Sequence, residues 1–200
     1  MALTLIIGGA RSGKSELAQR LAAASGAPVT FIATMEPLDD EVRRRIDIHR
    51  AARPAAWRTI EEPLDVAEAL ANRAGSGDCA LIDCLTLWIA NILMRALGDS
   101  DRVPASSIEA AIEAARTQVD RLVQACDERR GPTIIVSNEV GLGVVPPYPL
   151  GRAFRDAMGA ANARVATRAA RVLQCTAGLV LDLRAAGAVP IAEFAADTGA

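Results

Sequence analysis

Short apolar runs alternate along the chain with longer segments that have helical periodicity. Runs rich in β-branched residues predict strands at 3–7, 29–33, 79–83 and 133–137. Because these runs are apolar at consecutive positions, they are typical of strands buried on both faces, and therefore of a parallel sheet. Helices are predicted at 14–25, 38–52, 64–74, 85–97, 106–130 and 150–170.

The last apolar stretch, residues 171–184, predicts one or two closing strands. Alternation of strands and helices predicts a doubly wound α/β sheet with right-handed crossovers. The sequence contains no internal repeat and no linker. We therefore expect one domain over residues 1–184 and an alanine-rich tail, residues 185–200, that is appended or weakly ordered.

Composition narrows the functional class. A chain of 200 residues with 51% hydrophobic content can bury one core. Its net charge of −2 argues against a nucleic-acid-binding protein. No apolar run approaches the roughly 18 residues of a membrane span, and the N-terminus lacks the basic region of a signal peptide. The cysteines have neither metal-ligand spacing nor the density of a disulfide framework, so we expect free thiols in a reducing cytoplasm.

The segment GGARSGKS follows the first predicted strand and opens the first helix. It fits the P-loop pattern G-x-x-x-x-G-K-[ST], in which the backbone N–H groups point at phosphate oxygens. Lys14 is the only lysine among 22 basic residues, which indicates a position where the planar group of arginine does not serve. We expect Lys14 to contact the β- and γ-phosphates and the Ser15 hydroxyl to hold Mg²⁺.

A chance glycine-rich turn is the alternative, but it leaves the agreement of strand, loop, helix and lysine unexplained. The chain is therefore predicted to bind a nucleoside triphosphate. The residues predicted to bind it in this loop are Gly8, Gly9, Ala10, Arg11, Ser12, Gly13, Lys14 and Ser15.

Polar residues follow two of the predicted strands. Asp83 ends the strand at 79–83, where P-loop proteins place the acid associated with Mg²⁺; it could also only cap the next helix. Asn138 and Glu139 follow the strand at 133–137, and Glu139 could accept a proton from a substrate hydroxyl as a general base. A solvated glycine-rich loop is the alternative for this second segment.

His49 is the only histidine of the chain and lies in the arginine-rich predicted helix 38–52. It shares one face of that helix with Val42 and Ile46, which favours an ordinary hydrogen-bonded core residue. Arg50 and Arg53 flank this face, and such cations would keep the imidazole neutral and stabilise charge on a phosphate under attack. Both roles stay open from the residues alone, whereas zinc binding fails for want of a Cys/His cluster.

Six segments, in this order, carry a resemblance to a known family: GGARSGKS, FIAT, LDDEVRRRIDIHRAARPAAWRTIEEP, LIDCLTLWIANIL, VSNEVGLGVVP and GRAFRDAMGAANARVA. Together they resemble the bifunctional adenosylcobinamide kinase/adenosylcobinamide-phosphate guanylyltransferase family of cobalamin biosynthesis, over about residues 3–183. The block H-R-x-x-R-P-x-x-W is specific, because other small P-loop kinases lack it. The resemblance implies a three-layer P-loop (RecA-like) α/β fold with a mostly parallel sheet, and a cytoplasmic homotrimer.

The resemblance also implies two reactions. The family phosphorylates adenosylcobinamide with ATP or GTP, and then transfers GMP from GTP to adenosylcobinamide phosphate through a histidine–GMP intermediate. The products are adenosyl-GDP-cobinamide and pyrophosphate. His49, which stands in the specific block, is the implied nucleophile. The further implied nucleotide contacts are Ala33, Thr34, Arg50, Ala51, Ala52, Arg53, Glu61 and Asp83, with Ser15 and Asp83 as ligands of Mg²⁺.

Several alternatives stay open at this point. Some relatives have a second histidine or a glutamate at the positions of Ile48 and Asp83, which leaves the metal ligand open. Arg152, Arg155 and Arg164 form either a corrinoid-contacting surface or a solvated basic face. The chain could also be a P-loop kinase of another small alcohol with a structural His49, or a GTP-dependent regulatory switch. No nucleic acid and no stable membrane insertion are expected.

Overall fold

The computed structural model describes residues 3–36, 40–51, 53–98 and 104–194. The strands are β1 (Leu3–Gly8), β2 (Val29–Ala33), β3 (Arg58–Glu61), β4 (Cys79–Asp83), β5 (Thr133–Asn138), β6 (Arg171–Thr176) and β7 (Leu179–Asp182). The helices are α1 (Lys14–Ala23), α2 (Asp40–Ala51), α3 (Val66–Glu68, continued by a π-helical turn over Ala69–Arg73), α4 (Leu85–Leu97), α5 (Ala105–Glu128), α6 (Pro149–Arg168) and α7 (Ile191–Phe194). None of the described helices is long and apolar enough to cross a membrane.

The seven strands form a single sheet in the order β3-β2-β4-β5-β1-β6-β7. Every neighbouring pair is parallel except β6 and β7, which are antiparallel. The P-loop strand β1 lies inside the sheet, with β5 on one side and β6 on the other. This arrangement confirms the predicted α/β class with a mostly parallel sheet.

Helices cover both faces of the sheet, which gives three layers. On one face α1 packs Ala18 and Ala22 against strand residues such as Phe31. On the other face a larger core includes Trp88 of α4 and Met158 of α6, together with residues of α3 and α5. The central strands are therefore buried on both sides, as their continuous apolar runs predicted.

The predicted elements agree with the structure apart from their ends and a few omissions. The predicted strands 3–7 and 133–137 are each one residue longer, and 171–184 contains two strands. The short strand β3 was not predicted, because Ile60 is its only fully buried residue and an edge strand of this kind has no apolar run. Of the predicted helix 38–52, residues 38, 39 and 52 lie outside the described part of the chain. The described part of the predicted tail contains the short helix α7.

Candidate active site

The loop between β1 and α1 turns tightly over the end of the sheet. Its backbone is left-handed at Arg11, with φ 56°, and at Gly13, with φ 91°. A Cβ atom at Gly8 would lie 2.4 Å from the carbonyl oxygen of Cys175 and 2.7 Å from the hydroxyl of Ser12. Only glycine therefore fits at Gly8. The left-handed backbone at Arg11 and Gly13 turns the chain so that α1 begins at Lys14.

Polar groups of this loop fit a phosphate ligand. The Ser12 side chain is buried, and its hydroxyl has no hydrogen-bond partner among the described residues. The Lys14 ammonium donates a hydrogen bond across the loop to the carbonyl oxygen of Gly9 at 2.9 Å. Buried polar groups normally have partners, and the N-terminus of a helix after a glycine-rich loop attracts anions. The loop thus has the donors that a phosphate group requires.

Asp83 lies at the same edge of the sheet as this loop. It ends β4, and the sheet order places β5 between β4 and β1. Two strand spacings amount to about 9.5 Å. The peptide bond between Asp83 and Cys84 is cis. The P-loop strand and the Asp83 strand are therefore near neighbours, separated by the end of β5.

Thr34 holds the ends of β2 and β4 together. Its hydroxyl accepts the N–H of Cys84 and donates to the carbonyl oxygen of Cys84, both at 2.8 Å. The Thr34 N–H donates to the carbonyl oxygen of Asp83 at 3.3 Å. The Asn91 amide donates to the carbonyl oxygens of Thr34 at 2.8 Å and of Pro63 at 3.1 Å. Thr34 is fully buried, and both described bonds of its hydroxyl go to Cys84. The resemblance implied that Thr34 lines the nucleotide, and that role stays a prediction.

Four of the implied nucleotide-site residues meet at the β2–β4 side of this edge. Arg50 at the end of α2 pairs with Glu61 at the end of β3. The Arg53 guanidinium lies 3.6 Å from the centre of the Phe31 ring. Burial lowers the pKa of Arg53, the nearby charge of Asp83 opposes that shift, and Arg50 adds to it. The two arginines, Glu61 and Asp83 are therefore brought together as one electrostatic cluster.

His49 lies in α2, one residue before Arg50. Its side chain is outside the described part of the structure, as are those of Val42 and Ile46. The shared apolar face of these three residues therefore stays a prediction. The backbone of α2 nevertheless places His49 next to the arginine that reaches β3.

The three alanines implied to line the nucleotide offer backbone rather than side-chain chemistry. Ala33 ends β2, and its carbonyl oxygen accepts the N–H of Glu62 at 2.9 Å. Ala51 is the exposed last residue of α2, whereas Ala52 lies outside the described residues.

A buried polar network fixes the end of β5, and the sequence analysis did not find it. The N–H of Asn138 donates to the hydroxyl of Thr86 at 2.8 Å. The Ser137 hydroxyl donates to the Asn162 side-chain oxygen at 2.6 Å, and the Asn162 amide donates to the carbonyl oxygen of Asn138 at 3.0 Å. Polar residues within apolar elements, such as Ser137 in the run TIIVS, were the available signal.

Glu139 stands directly beside the P-loop. Its N–H donates to the carbonyl oxygen of Gly8 at 3.3 Å, and its carboxylate accepts the N–H of Gly141 at 2.8 Å. The side chain is half-buried. This position fits a general base that takes a proton from a hydroxyl near the terminal phosphate.

The donors available for a cation fit Mg²⁺ better than a transition metal. Among the described residues, no group of three or more His, Cys, Asp or Glu side chains could hold a metal ion. Mg²⁺ takes few protein ligands and keeps waters and substrate phosphates. A hydroxyl at Ser15 in the first turn of α1 and a carboxylate at Asp83 are donors of this kind.

The three arginines of α6 do not form one free basic surface. The Arg152 guanidinium donates to the carbonyl oxygen of Pro147 at 2.8 Å. Arg155 lies 3.7 Å from Asp156. Arg164 pairs with Asp120 of α5 at 2.5 Å. These contacts engage each arginine locally. Whether the three arginines contact a corrinoid or form a solvated basic face stays a prediction.

Comparison with known proteins identifies the chain's relatives. The family model for cobinamide kinase / cobinamide phosphate guanyltransferase matches residues 4–183. The bifunctional adenosylcobalamin biosynthesis protein CobP of Pseudomonas aeruginosa is 46% identical over 180 residues, which cover 90% of this chain and 96% of that protein. CobU of Escherichia coli K12, described in the same words, is 35% identical over 182 residues, 91% of this chain and 99% of that protein. Among solved structures, an ATPase of a bacterial type III secretion system is 13% identical, with a TM-score of 0.48 over 98% of this chain and 60% of that one.

Proposed function

The chain belongs to the cobinamide kinase / cobinamide phosphate guanyltransferase family, and from that premise we propose how its residues divide the two reactions. The enzyme is a cobinamide kinase and a cobinamide phosphate guanyltransferase, as its relatives are. The observation that carries the assignment of residues is the phosphate-fitting loop at residues 8–15, beside a cluster of two arginines and two carboxylates. The loop fits the phosphates of a nucleotide, and the arginines of the cluster fit the negative charge that develops on a phosphate during the reaction.

In the kinase step the loop holds the triphosphate of ATP or GTP. Lys14 exchanges its bond to the Gly9 carbonyl oxygen for the β- and γ-phosphates. Ser15 and Asp83 would hold Mg²⁺, which neutralises phosphate charge when it is bound. Glu139, whose backbone is bonded to Gly8, takes the proton of the cobinamide hydroxyl as that oxygen attacks the γ-phosphate. The products are cobinamide phosphate and the nucleoside diphosphate.

In the guanylyl-transfer step His49 supplies the nucleophile that a P-loop lacks. A nitrogen of its imidazole attacks the α-phosphate of GTP, a phosphorus–nitrogen bond forms, and pyrophosphate leaves. A phosphate oxygen of cobinamide phosphate then attacks the same phosphorus, so that GMP is transferred and the imidazole is released. Arg50 and Arg53 stabilise the negative charge at this phosphorus, since both belong to the cluster beside α2.

The adenosyl group on the substrate, the use of Mg²⁺, a homotrimeric assembly and a cytoplasmic location are further parts of the proposal. They rest on the family resemblance. Sedimentation of the purified protein tests the trimer, and activity after chelation and Mg²⁺ restoration tests the metal.

Labelling with GTP carrying a radioactive α-phosphate tests the role of His49. The wild-type chain should retain label after denaturation, lose it in acid and keep it in alkali, because a phosphoramidate is acid-labile. His49→Ala should lose the label and GMP transfer but keep kinase activity, which needs no such nucleophile. Ile48→Ala is the matched control, since this neighbouring side chain is 68% exposed and has no proposed role.

Three outcomes would contradict this assignment. Label retained by His49→Ala places the nucleophile elsewhere. Loss of both activities from folded His49→Ala makes the residue part of a shared site. An unlabelled wild type that still phosphorylates cobinamide would fit a kinase with a structural His49.

A further inference from the structure

The segment after β5 exposes large apolar side chains beside the P-loop. Leu142 is 89% exposed, Val144 96%, Val145 54% and Tyr148 60%. We refer to residues 141–148 as the apolar loop. Contiguous apolar side chains at a surface mark binding sites more often than isolated ones do. The two reactions proposed above use none of these four side chains.

The apolar loop is anchored at both of its ends. Before it, the N–H of Glu139 is bonded to the carbonyl oxygen of Gly8, and the Glu139 carboxylate accepts the N–H of Gly141. Near its C-terminal end, the carbonyl oxygen of Pro147 accepts a hydrogen bond from Arg152 at 2.8 Å. These bonds hold the two ends of the apolar loop, and the loop leaves the sheet next to Gly8 of the P-loop.

The Tyr148 ring is seated on the first turn of α6. A Cβ atom at Gly151 would lie 2.5 Å from this ring, so that only glycine allows the ring to pack there. One side of the ring is covered in this way, while the residue stays 60% exposed. A seated aromatic ring with a free face is typical of a surface that receives a flat apolar ligand.

Charge distinguishes this surface from the rest of the site. Residues 140–151, VGLGVVPPYPLG, contain no charged side chain. The side of the site formed by α2 and β3 contains Arg50, Arg53 and Glu61. Phosphates therefore belong to the P-loop and the arginine side, whereas the apolar loop fits a ligand face that has a large apolar area and no exposed charged group.

We propose that the apolar loop is the docking surface for the corrin ring of cobinamide. This inference rests on the proposed function, because that function supplies the acceptor. Cobinamide is a broad ring edged with methyl groups and neutral amides, and the P-loop has no group that would recognise it. Its hydroxyl must approach the terminal phosphate from the carboxyl edge of the sheet. The apolar loop leaves that edge after Asn138, whose register partner is Gly8.

Substitutions at the most exposed positions test the proposal without disturbing the core. Leu142→Ser and Val144→Ser should each raise the KM for cobinamide about ten- to hundredfold, the range expected when the burial of one aliphatic side chain is lost. The KM for GTP and the labelling of the chain by GTP without cobinamide should not change, since neither involves the corrin ring. Ile191→Ser is the matched control. This residue is 92% exposed in α7. α7 follows β7, which ends at the amino edge of the parallel strands, where the Leu183 N–H donates to the carbonyl oxygen of Val172 near the start of β6.

An unchanged KM for cobinamide in both loop variants would overturn the proposal. So would dissociation of the oligomer by both variants, which would make the loop a contact between copies of the chain. If the wild type phosphorylates no cobinamide, the proposed function fails. The docking proposal is then judged separately by equilibrium dialysis with cobinamide. Binding that the loop variants lose supports it, and absence of binding to the wild type refutes it.

Discussion

Replacing Thr34 by valine tests how the catalytic edge of the sheet is held. Thr34→Val keeps the branched shape but removes the hydroxyl that is bonded twice to Cys84. The Cys84 N–H then has no partner in the core, which costs about 1–3 kcal/mol. The Cys84 carbonyl oxygen keeps its second donor, the N–H of Trp88 at 3.2 Å. Removing the Thr34 hydroxyl from this oxygen therefore costs less, about 0.5–1.5 kcal/mol. We expect the free energy of unfolding to fall by about 2–4 kcal/mol.

Urea denaturation of two variants measures this contribution. Thr34→Ser keeps the hydroxyl and loses one methyl group, which costs about 1 kcal/mol. Thr34→Val should therefore have the lower midpoint, with an unchanged dependence of the unfolding free energy on urea. If Thr34→Val is as stable as Thr34→Ser or more stable, the two hydrogen bonds do not hold the strand ends and the reasoning is refuted.

The same pair of variants also reports on the site. The Thr34 N–H and hydroxyl fix the backbone on both sides of the peptide bond that follows Asp83. Loss of the hydroxyl should raise the Mg²⁺ concentration at half-maximal kinase activity in Thr34→Val and leave it near normal in Thr34→Ser. An equal change in both variants would point to packing rather than to hydrogen bonding.

Three other substitutions test separate parts of the molecule. Lys14→Ala should abolish kinase turnover and weaken triphosphate binding in calorimetry; near-normal activity in the folded variant would remove the P-loop assignment. Asp83→Asn should raise the Mg²⁺ requirement with little change in Tm, whereas full activity would leave this residue only a capping role. Burial opposes ionisation of Glu62, but the N–H groups of Asp65 and Leu64, with a nearby arginine, outweigh it and lower its pKa from 4.5. The ionised Glu62 carboxylate therefore stabilises the fold above pH 4.5, and this stabilisation is lost as the pH falls through the lowered pKa. The difference in unfolding free energy between wild type and Glu62→Gln should shrink in acid, and a constant difference would contradict this.

The central sheet could be predicted because its strands have a simple signature. Each buried parallel strand is a short run of consecutive apolar residues, and β2 and β4 have the predicted bounds. The edge strand β3 has no such run, since three of its four residues are not fully buried. Its pairing with β2 depends on contacts across the sheet, which a local sequence pattern does not show.

The site was predictable where chemistry depends on local spacing. The P-loop with Lys14 was predicted to follow the first strand and Asp83 to end another, and the sheet brings the ends of β1 and β4 to one edge. The two hydrogen bonds between Thr34 and Cys84 join residues 50 positions apart. No local sequence pattern distinguishes a hydroxyl that faces a ligand from one that faces the backbone. Asn91 gave a weak signal, as an amide within the apolar helix α4, but its two carbonyl partners lie in distant loops.

The central position of β1 has a consequence for the order of events during synthesis. Leu3 pairs with Thr133 in β5, and Thr4 pairs with Arg171 in β6. β1 therefore waits for two strands that are made more than a hundred residues later, and such distant parallel pairing is slow and leaves edges open to aggregation. Gly8 also packs against Cys175. The P-loop is made long before β6, yet it acquires its final shape only once β6 has emerged from the ribosome.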